Sequence, residues 1–286
     1  MKIIQSLWSK PSLITGGWSE KTFYYMSWAL SCLKLKEFYN SVELFTDKKG
    51  KEFLIDRLQL PYDKVNIVLD DLNEFNSRLW ALGKIYTYSI QHEPFIHVDG
   101  DVYIWKKFHD RIEKAQLAAQ HKEENYEHNL HSAHKLINGG FNFKEELDPI
   151  NDVEITEVNA GIIGGNNIDF FQRYTKEVFD FIVNNKKQIE RLKDKDSGHI
   201  NTIFEQYFFY KLSLKYNIKI EYLFTQKIDS TFSELVSFAS IPHMKSYIHT
   251  VGYHKKNYAI GERVAHRLWY EYPDYYNRIL KLIENK

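Results

Sequence analysis

The chain is 286 residues long and carries 38 Lys+Arg against 38 Asp+Glu, a formal net charge of zero. With 43% hydrophobic and 27% charged residues it has the composition of a folded protein, which excludes wholesale disorder. The absence of a basic excess argues against a general nucleic-acid binder. Thr22–Leu33 is the longest run without Asp, Glu, Lys or Arg, well short of the roughly 20 apolar residues a spanning helix needs. The opening MKIIQSLW is too short an apolar run for a secretory leader, and the single Cys32 allows no intrachain disulfide. A cytoplasmic setting is therefore expected. Aromatic residues reach 16%, a content that serves cores and sugar-stacking surfaces alike.

Strand and helix patterns alternate through the first hundred residues. Lys2–Trp8 reads as a strand, and after the turn-rich SKPSLITGGWSE a buried helix spans Lys21–Leu35. Val42–Thr46 is a second strand ending at Asp47. Gly50–Leu60 has near-helical apolar spacing and stops at Pro61. Val65–Leu69 is a third strand, Asn76–Gln91 a helix holding Arg78, Trp80 and Lys84, and Pro94–Val98 a fourth strand. This order predicts a largely parallel sheet with helices on its faces, and such sheets receive ligands at the carboxyl ends of their strands. Asp47, Asp99 and Asp101 fall at those ends.

Further along, strands are predicted over Ala115–Gln120, Val158–Gly164 and Ile218–Phe224. Helices are predicted over His128–Ile137, Ile168–Asn184 and His199–Tyr216, and over Glu262–Glu284 with a break near Pro273; Lys193–Gly198 reads as a turn. No repeat or flexible linker is visible, so one domain is expected over residues 1–257, with a weakly patterned segment at 121–156 and a helical tail at 258–286 packed on it.

Four short motifs carry chemistry. In HVDGDVYIW, residues 97–105, Asp99 and Asp101 stand two apart, which in an extended chain aims both carboxylates the same way. Hard oxygen donors of this kind suit Mg²⁺ or Mn²⁺. Gly100 between them permits a close approach by backbone or phosphate. In YIHTVGYHKKN, residues 247–257, His249 offers an imidazole ligand, Gly252 an unobstructed backbone and Lys255 a compact positive charge. In EVNAGIIGGNN, residues 157–167, small residues flank Asn159, which can both donate and accept toward hydroxyls. In FEQYFF, residues 204–209, Glu205 and Gln206 form a polar pair on an aromatic helix.

Taken in this order, DGD, NAG, the acid-Gln pair and H-x-x-G-x-x-K resemble the GT-A-fold glycosyltransferases, in particular the retaining family of glycogenin and the bacterial lipopolysaccharide galactosyl- and glucosyltransferases. The resemblance implies a Rossmann-like α/β fold and transfer of a hexose from a UDP-linked or other nucleotide sugar to a saccharide or other hydroxyl acceptor. It assigns the metal to Asp99, Asp101 and His249, the diphosphate to Gly252 and Lys255, and the donor sugar to Asn159 and Gly161. Glu205 and Gln206 would line the sugar and acceptor pocket, Asp47 would meet the nucleoside, and Arg78 and Lys84 would help to hold the donor. Two positions depart from that family: Glu205-Gln206 stands for its Asp-Gln, and Lys256-Asn257 for the Pro-Trp that follows its lysine.

Rival classes remain at this point. A sugar nucleotidyltransferase should carry a Gly-rich, Arg-containing loop after its first strand, and GGWSEK matches that poorly. A nucleotide-sugar hydrolase is the other enzyme rival, and a carbohydrate-binding protein would not need DGD and H-x-x-G-x-x-K together. His121, His128, His131 and His134 read as a solvated face without acidic partners, and Cys32 as inert core. The aromatic and basic tail RLWYEYPDYYNRILKLI offers a surface for weak association with an inner membrane face, although packing on the domain is favoured by its balanced charge.

Overall fold

The computed structural model describes residues 1–11, 15–152 and 154–284. Residues 12–14 of the turn-rich segment, residue 153 of the 121–156 segment and residues 285–286 of the tail lie outside the described residues. The strands are β1 (Lys2–Leu7), β2 (Val42–Thr46), β3 (Lys64–Ile67), β4 (Phe95–Val98), β5 (Val102–Ile104), β6 (Leu117–Ala119), β7 (Lys122–Glu124), β8 (Thr156–Val158), β9 (Ile162–Gly165), β10 (Ile220–Tyr222) and β11 (Tyr247–His249). The helices are α1 (Lys21–Phe38), α2 (Lys48–Lys51), α3 (Leu82–Ser89), α4 (Asp110–Glu113), α5 (Glu127–Asn138), α6 (Ile168–Asn184), α7 (Lys186–Arg191), α8 (Ser197–Thr202), α9 (Phe208–Lys215), α10 (Tyr258–Glu271) and α11 (Pro273–Glu284). The fold is mixed α/β, with a mainly parallel seven-stranded sheet in the order β10-β6-β9-β4-β1-β2-β3 flanked by helices. Among the described residues no helix is long and apolar enough to cross a membrane.

The chain divides into two compact units, one of Met1–Asp70, His97–Phe108 and Thr231–Lys286, the other of Asp71–Ile96 and His109–Ser230. In the first unit β1, β2 and β3 run parallel, in a register from Ile3↔Val42 to Leu7↔Thr46. All of β2 is buried, Glu43 and Thr46 included, as a strand shielded on both faces should be. α1 is apolar nearly all round because it is covered nearly all round. Its Leu30 and Leu33 share one cluster with Ile260, Val264 and Leu268 of α10 and Ile279 of α11. The Lys34 ammonium is buried beside Glu271 at 3.0 Å, and the Arg278 guanidinium donates to the Leu58 carbonyl at 2.9 Å. β5 and β11 form a separate antiparallel ribbon that pairs Tyr247 with Ile104, Ile248 with Tyr103 and His249 with Val102.

In the second unit β6 pairs parallel with β10 and antiparallel with β9, and β7 pairs antiparallel with β8. Its core is aromatic: Phe170 meets Phe209 edge-on at 5.3 Å between centroids, and Phe95 meets Phe171 at 4.7 Å. Much of the chain's aromatic excess is therefore interior.

Four elements differ from the sequence expectation. The helix expected over Asn76–Gln91 begins only at Leu82, because Asn201 clamps the preceding turn: its amide donates to the Arg78 carbonyl at 2.7 Å and accepts from the Ala81 N–H at 2.8 Å. The strand expected over Val158–Gly164 is two strands, β8 and β9, with Asn159-Ala160-Gly161 between them. The helices expected over Gly50–Leu60 and His199–Tyr216 each contain a π-helical turn, at Glu52–Arg57 and at Ile203–Tyr207.

Candidate functional site

The DGD segment is a turn rather than an extended run: the Asp99 carbonyl accepts from the Val102 N–H at 3.1 Å as the chain leaves β4 and enters β5. Its two carboxylates converge through that turn, not through the pleat of a strand. Two serines one turn apart on α1 hold its backbone. Ser27 donates to the Gly100 carbonyl at 2.9 Å and Ser31 to the Val102 carbonyl at 2.7 Å. Between them lies Trp28, whose ring stands 2.6 Å from where a Cβ on Gly100 would be. Gly100 is therefore required by a tryptophan packed on it, and the close approach expected there is by that indole rather than by a phosphate.

β11 brings in a third side chain able to bind a metal. Its pairing sets His249 opposite Val102, and the Thr250 N–H donates to the Asp101 carbonyl at 3.0 Å. His249 Nε2 then lies 3.6 Å from Asp101 Oδ1. Among the described residues Asp99, Asp101 and His249 form a group whose ligand atoms all lie within 4.8 Å of one another. Two hard carboxylates and one imidazole, with Asp101 and His249 buried and Asp99 half-buried, match the preferences of Mn²⁺ and Mg²⁺. His97 Nδ1 stands 3.6 Å from Asp99 Oδ1, and the Lys255 ammonium 2.6 Å from Asp101 Oδ2. Burial, together with the Asp99 and Asp101 carboxylates, pushes the Tyr247 phenol well above its ordinary range, which marks the place as electronegative. Gly252, at φ +56°, has no atom within 4 Å of where a Cβ would stand.

Asp47 is buried, and its carboxylate is taken up locally. Oδ2 accepts from the Ser9 N–H at 2.8 Å and the Ser9 hydroxyl at 2.7 Å, and Oδ1 accepts from the Gly50 N–H at 2.7 Å as the cap of α2. It thereby ties the end of β1 to the end of β2.

The remaining sequence candidates lie in the second unit. The Lys84 ammonium donates to Glu205 Oε1 at 2.7 Å, and the Tyr174 hydroxyl donates to the Glu205 carbonyl at 2.8 Å, within the π-helical turn. Such turns recur where helices carry function. Glu205 is buried and the adjacent Gln206 is half-buried. Arg78 pairs with the exposed Asp194 at 2.6 Å. Asn159 is buried, donates to Glu123 Oε1 at 2.8 Å, and accepts from the Gly161 N–H at 3.1 Å.

Glu123 belongs to a polar cluster that the sequence did not disclose. It also accepts from the Asn129 amide at 3.2 Å, with His128 Nε2 at 3.3 Å and His121 Nε2 at 3.4 Å. The histidines expected to lack acidic partners thus include two that face one. Burial alone would raise the Glu123 carboxyl, but His121, His128 and Asn159 outweigh it and hold it well below the usual range. Glu157 stands across the ribbon from Glu123, fully buried, with neither carboxylate oxygen hydrogen-bonded. Burial, then Glu123 and Glu205, push its pKa well above the ordinary value. The overlooked signal was a repeated spacing: His121-x-Glu123 and Glu157-x-Asn159 share the two-residue step of Asp99-x-Asp101.

Solved structures similar to the chain include two glycosyltransferases. Mouse xyloside xylosyltransferase 1 in its apo form aligns with a TM-score of 0.41 at 11% identity, over 77% of this chain and 84% of that one. The glycosyltransferase GlyE of Streptococcus pneumoniae TIGR4 aligns with a TM-score of 0.45 at 14% identity, over 99% of this chain and 64% of that one. No curated protein matches the chain at a significant level. A family profile matches residues 1–282, and the chain belongs to that family, described as a family of unknown function (DUF6734).

Proposed function

We propose that the chain is a metal-dependent glycosyltransferase of the GT-A type, moving a hexose from a nucleotide sugar, UDP-linked by resemblance, to an acceptor hydroxyl. The observation behind this is the convergence of Asp99, Asp101 and His249, with Lys255 at their edge. The two carboxylates and the imidazole would hold Mn²⁺ or Mg²⁺, which supplies Lewis-acid stabilisation of a leaving diphosphate when bound. Lys255 brings a compact charge to the diphosphate oxygens, and the unobstructed backbone at Gly252 lets them approach.

Asn159 and Gly161 serve the donor sugar, and Glu205 and Gln206 the sugar and acceptor, with Lys84 fixing the Glu205 carboxylate. Glu205 is the general base if the outcome is inversion; the family resembled retains configuration. Arg78 helps to hold the donor, and Asp47, through Ser9, shapes the strand ends that meet the nucleoside. On this reading residues 1–257 are the catalytic domain, residues 121–156 the acceptor side and residues 258–286 a tail packed on it. The setting would be cytoplasmic, with the tail in weak contact with an inner membrane face.

The test is hydrolysis of a panel of nucleotide sugars with Mn²⁺ and with EDTA. Metal-dependent release of nucleoside diphosphate and free hexose is expected. Turnover that is indifferent to EDTA points to a metal-free hydrolase, release of inorganic pyrophosphate from a nucleoside triphosphate to a nucleotidyltransferase, and saccharide binding without turnover to a carbohydrate-binding protein. Any of these outcomes removes the transferase assignment.

A further inference from the structure

The first unit carries a groove of about 970 Å³ that none of these roles uses. One wall is a face of α10 bearing Glu262, Arg263, His266 and Tyr270. Trp105, Phe238, Ile241, Pro242 and His243 line the rest of it. Its shape is held from within. Arg267 donates to the Ile241 carbonyl at 2.7 Å and lies 5.8 Å from the centre of the Trp105 ring, and the Trp105 indole N–H donates to Glu271 at 3.0 Å. A site braced in this way loses little freedom when a ligand enters.

The lining specifies the occupant. Arg263 and Arg267 are matched by Glu262 and Glu271, so neither a polyanion nor a polycation is favoured. Arg267 and Glu271 are engaged in the brace, whereas the side chains of Glu262, Arg263, His243 and Tyr270 make no hydrogen bond or ion pair among the described residues. They therefore present donors, an acceptor and an exposed aromatic face beside apolar lining residues. A neutral ligand with many hydroxyls and an apolar face needs this combination: hydroxyls donate to Glu262, accept from Arg263 and the imidazoles, and a C–H face lies on the Tyr270 ring. The volume is at the upper end of the 300–1,000 Å³ typical of ligand sites, enough for more than one sugar ring. Trp105 follows Asp101 by four residues along β5, roughly 13 Å at strand rise.

We propose that this groove binds a neutral oligosaccharide, the part of the acceptor remote from its reacting hydroxyl. This rests on the transferase assignment for its place in a reaction, but not for its chemistry. The test is binding without any nucleotide sugar: maltohexaose, cellohexaose and xylohexaose titrated against the full chain, followed by tryptophan fluorescence, since Trp105 lines the groove and Trp269 adjoins Tyr270. At least one hexasaccharide is expected to bind. Tyr270→Ala and Arg263→Ala, both at exposed positions, are each expected to weaken it about tenfold, leaving the melting temperature and metal-dependent donor hydrolysis unchanged. No binding by any of the three at millimolar concentration overturns the proposal. So does binding insensitive to both substitutions, or capture of phosphatidylglycerol vesicles in place of the saccharides. Saccharide binding that depends on Tyr270, in a protein that hydrolyses no nucleotide sugar, sustains the groove and removes the transferase assignment. Metal-dependent donor hydrolysis without saccharide binding does the reverse.

Discussion

Glu157 stands directly opposite Glu123 in the antiparallel pairing of β8 with β7, and both side chains are shielded from solvent. Like-charged residues in that relationship repel. The fold gives the hydrogen-bond donors to one partner, so that the Glu123 carboxyl is held well below its ordinary range while burial and Glu123 push the Glu157 carboxyl well above it.

The first prediction follows from that asymmetry. Glu157 has a raised folded-state pKa, so its contribution to stability is full below the unfolded value and is lost as pH rises through the folded value. Glu157→Gln keeps the shape and removes the ionisation. The variant should therefore gain on the wild type as pH rises from 5 to 9, by a few degrees in melting temperature for each kcal/mol or so involved. Thermal melts across that range check this, and a gap between the two proteins that stays constant with pH would refute it.

A second prediction separates two glycines. Gly100→Ala drives a methyl group into the Trp28 ring and should destabilise the fold by about 1–3 kcal/mol. Gly252→Ala meets no atom, but leaves a non-glycine residue at φ +56°, which costs about 1–2 kcal/mol. Trp28→Ala should relieve the first variant in part and the second not at all. Chemical denaturation of the four proteins and the two double variants measures this.

A third prediction concerns the metal. Asp101→Asn removes one of two convergent carboxylates while keeping its volume, so Mn²⁺ affinity measured by calorimetry should fall at least tenfold and metal-dependent turnover should be abolished, with little change in melting temperature. Unchanged turnover at limiting Mn²⁺ would remove the metal from the mechanism.

A fourth prediction splits the two residues of the C-terminal segment. His249→Ala should raise the metal concentration needed for half-maximal rate, because a ligand is lost. Lys255→Ala should lower kcat/KM by about 100-fold, the usual scale for one lost contact to developing charge, at saturating metal. Steady-state kinetics over a metal titration distinguishes the two, and equal behaviour of the variants would contradict the assigned roles.

The strands β1 to β4 were legible because strands of a sheet core announce themselves as short apolar runs between turn residues, and DGD was legible because it interrupts such a run with acids. The division of residues 158–164 was not, since Val158 and Ile162 belong to one apolar stretch and only their partners, β7 for one and β6 for the other, separate them. The start of α3 was hidden for a similar reason: the Asn201 clamp comes from a residue distant in sequence. Glu157 escaped notice because an acid in a polar segment reads as solvated, and its burial depends on a strand pairing that no local pattern encodes. His249 and Lys255 were found by motif, but the register that sets His249 opposite Val102 could only be seen in the fold.

That register also has a consequence for synthesis. A chain emerging N-terminus first exposes Asp99 and Asp101 long before Tyr247–His249 is made, and neither acid has its imidazole neighbour until β11 has paired with β5. The nascent protein cannot assemble the three-residue cluster. Completion of the cluster is coupled to closure of the last strand, so a protein stalled or cleaved before residue 247 carries the two acids without the imidazole.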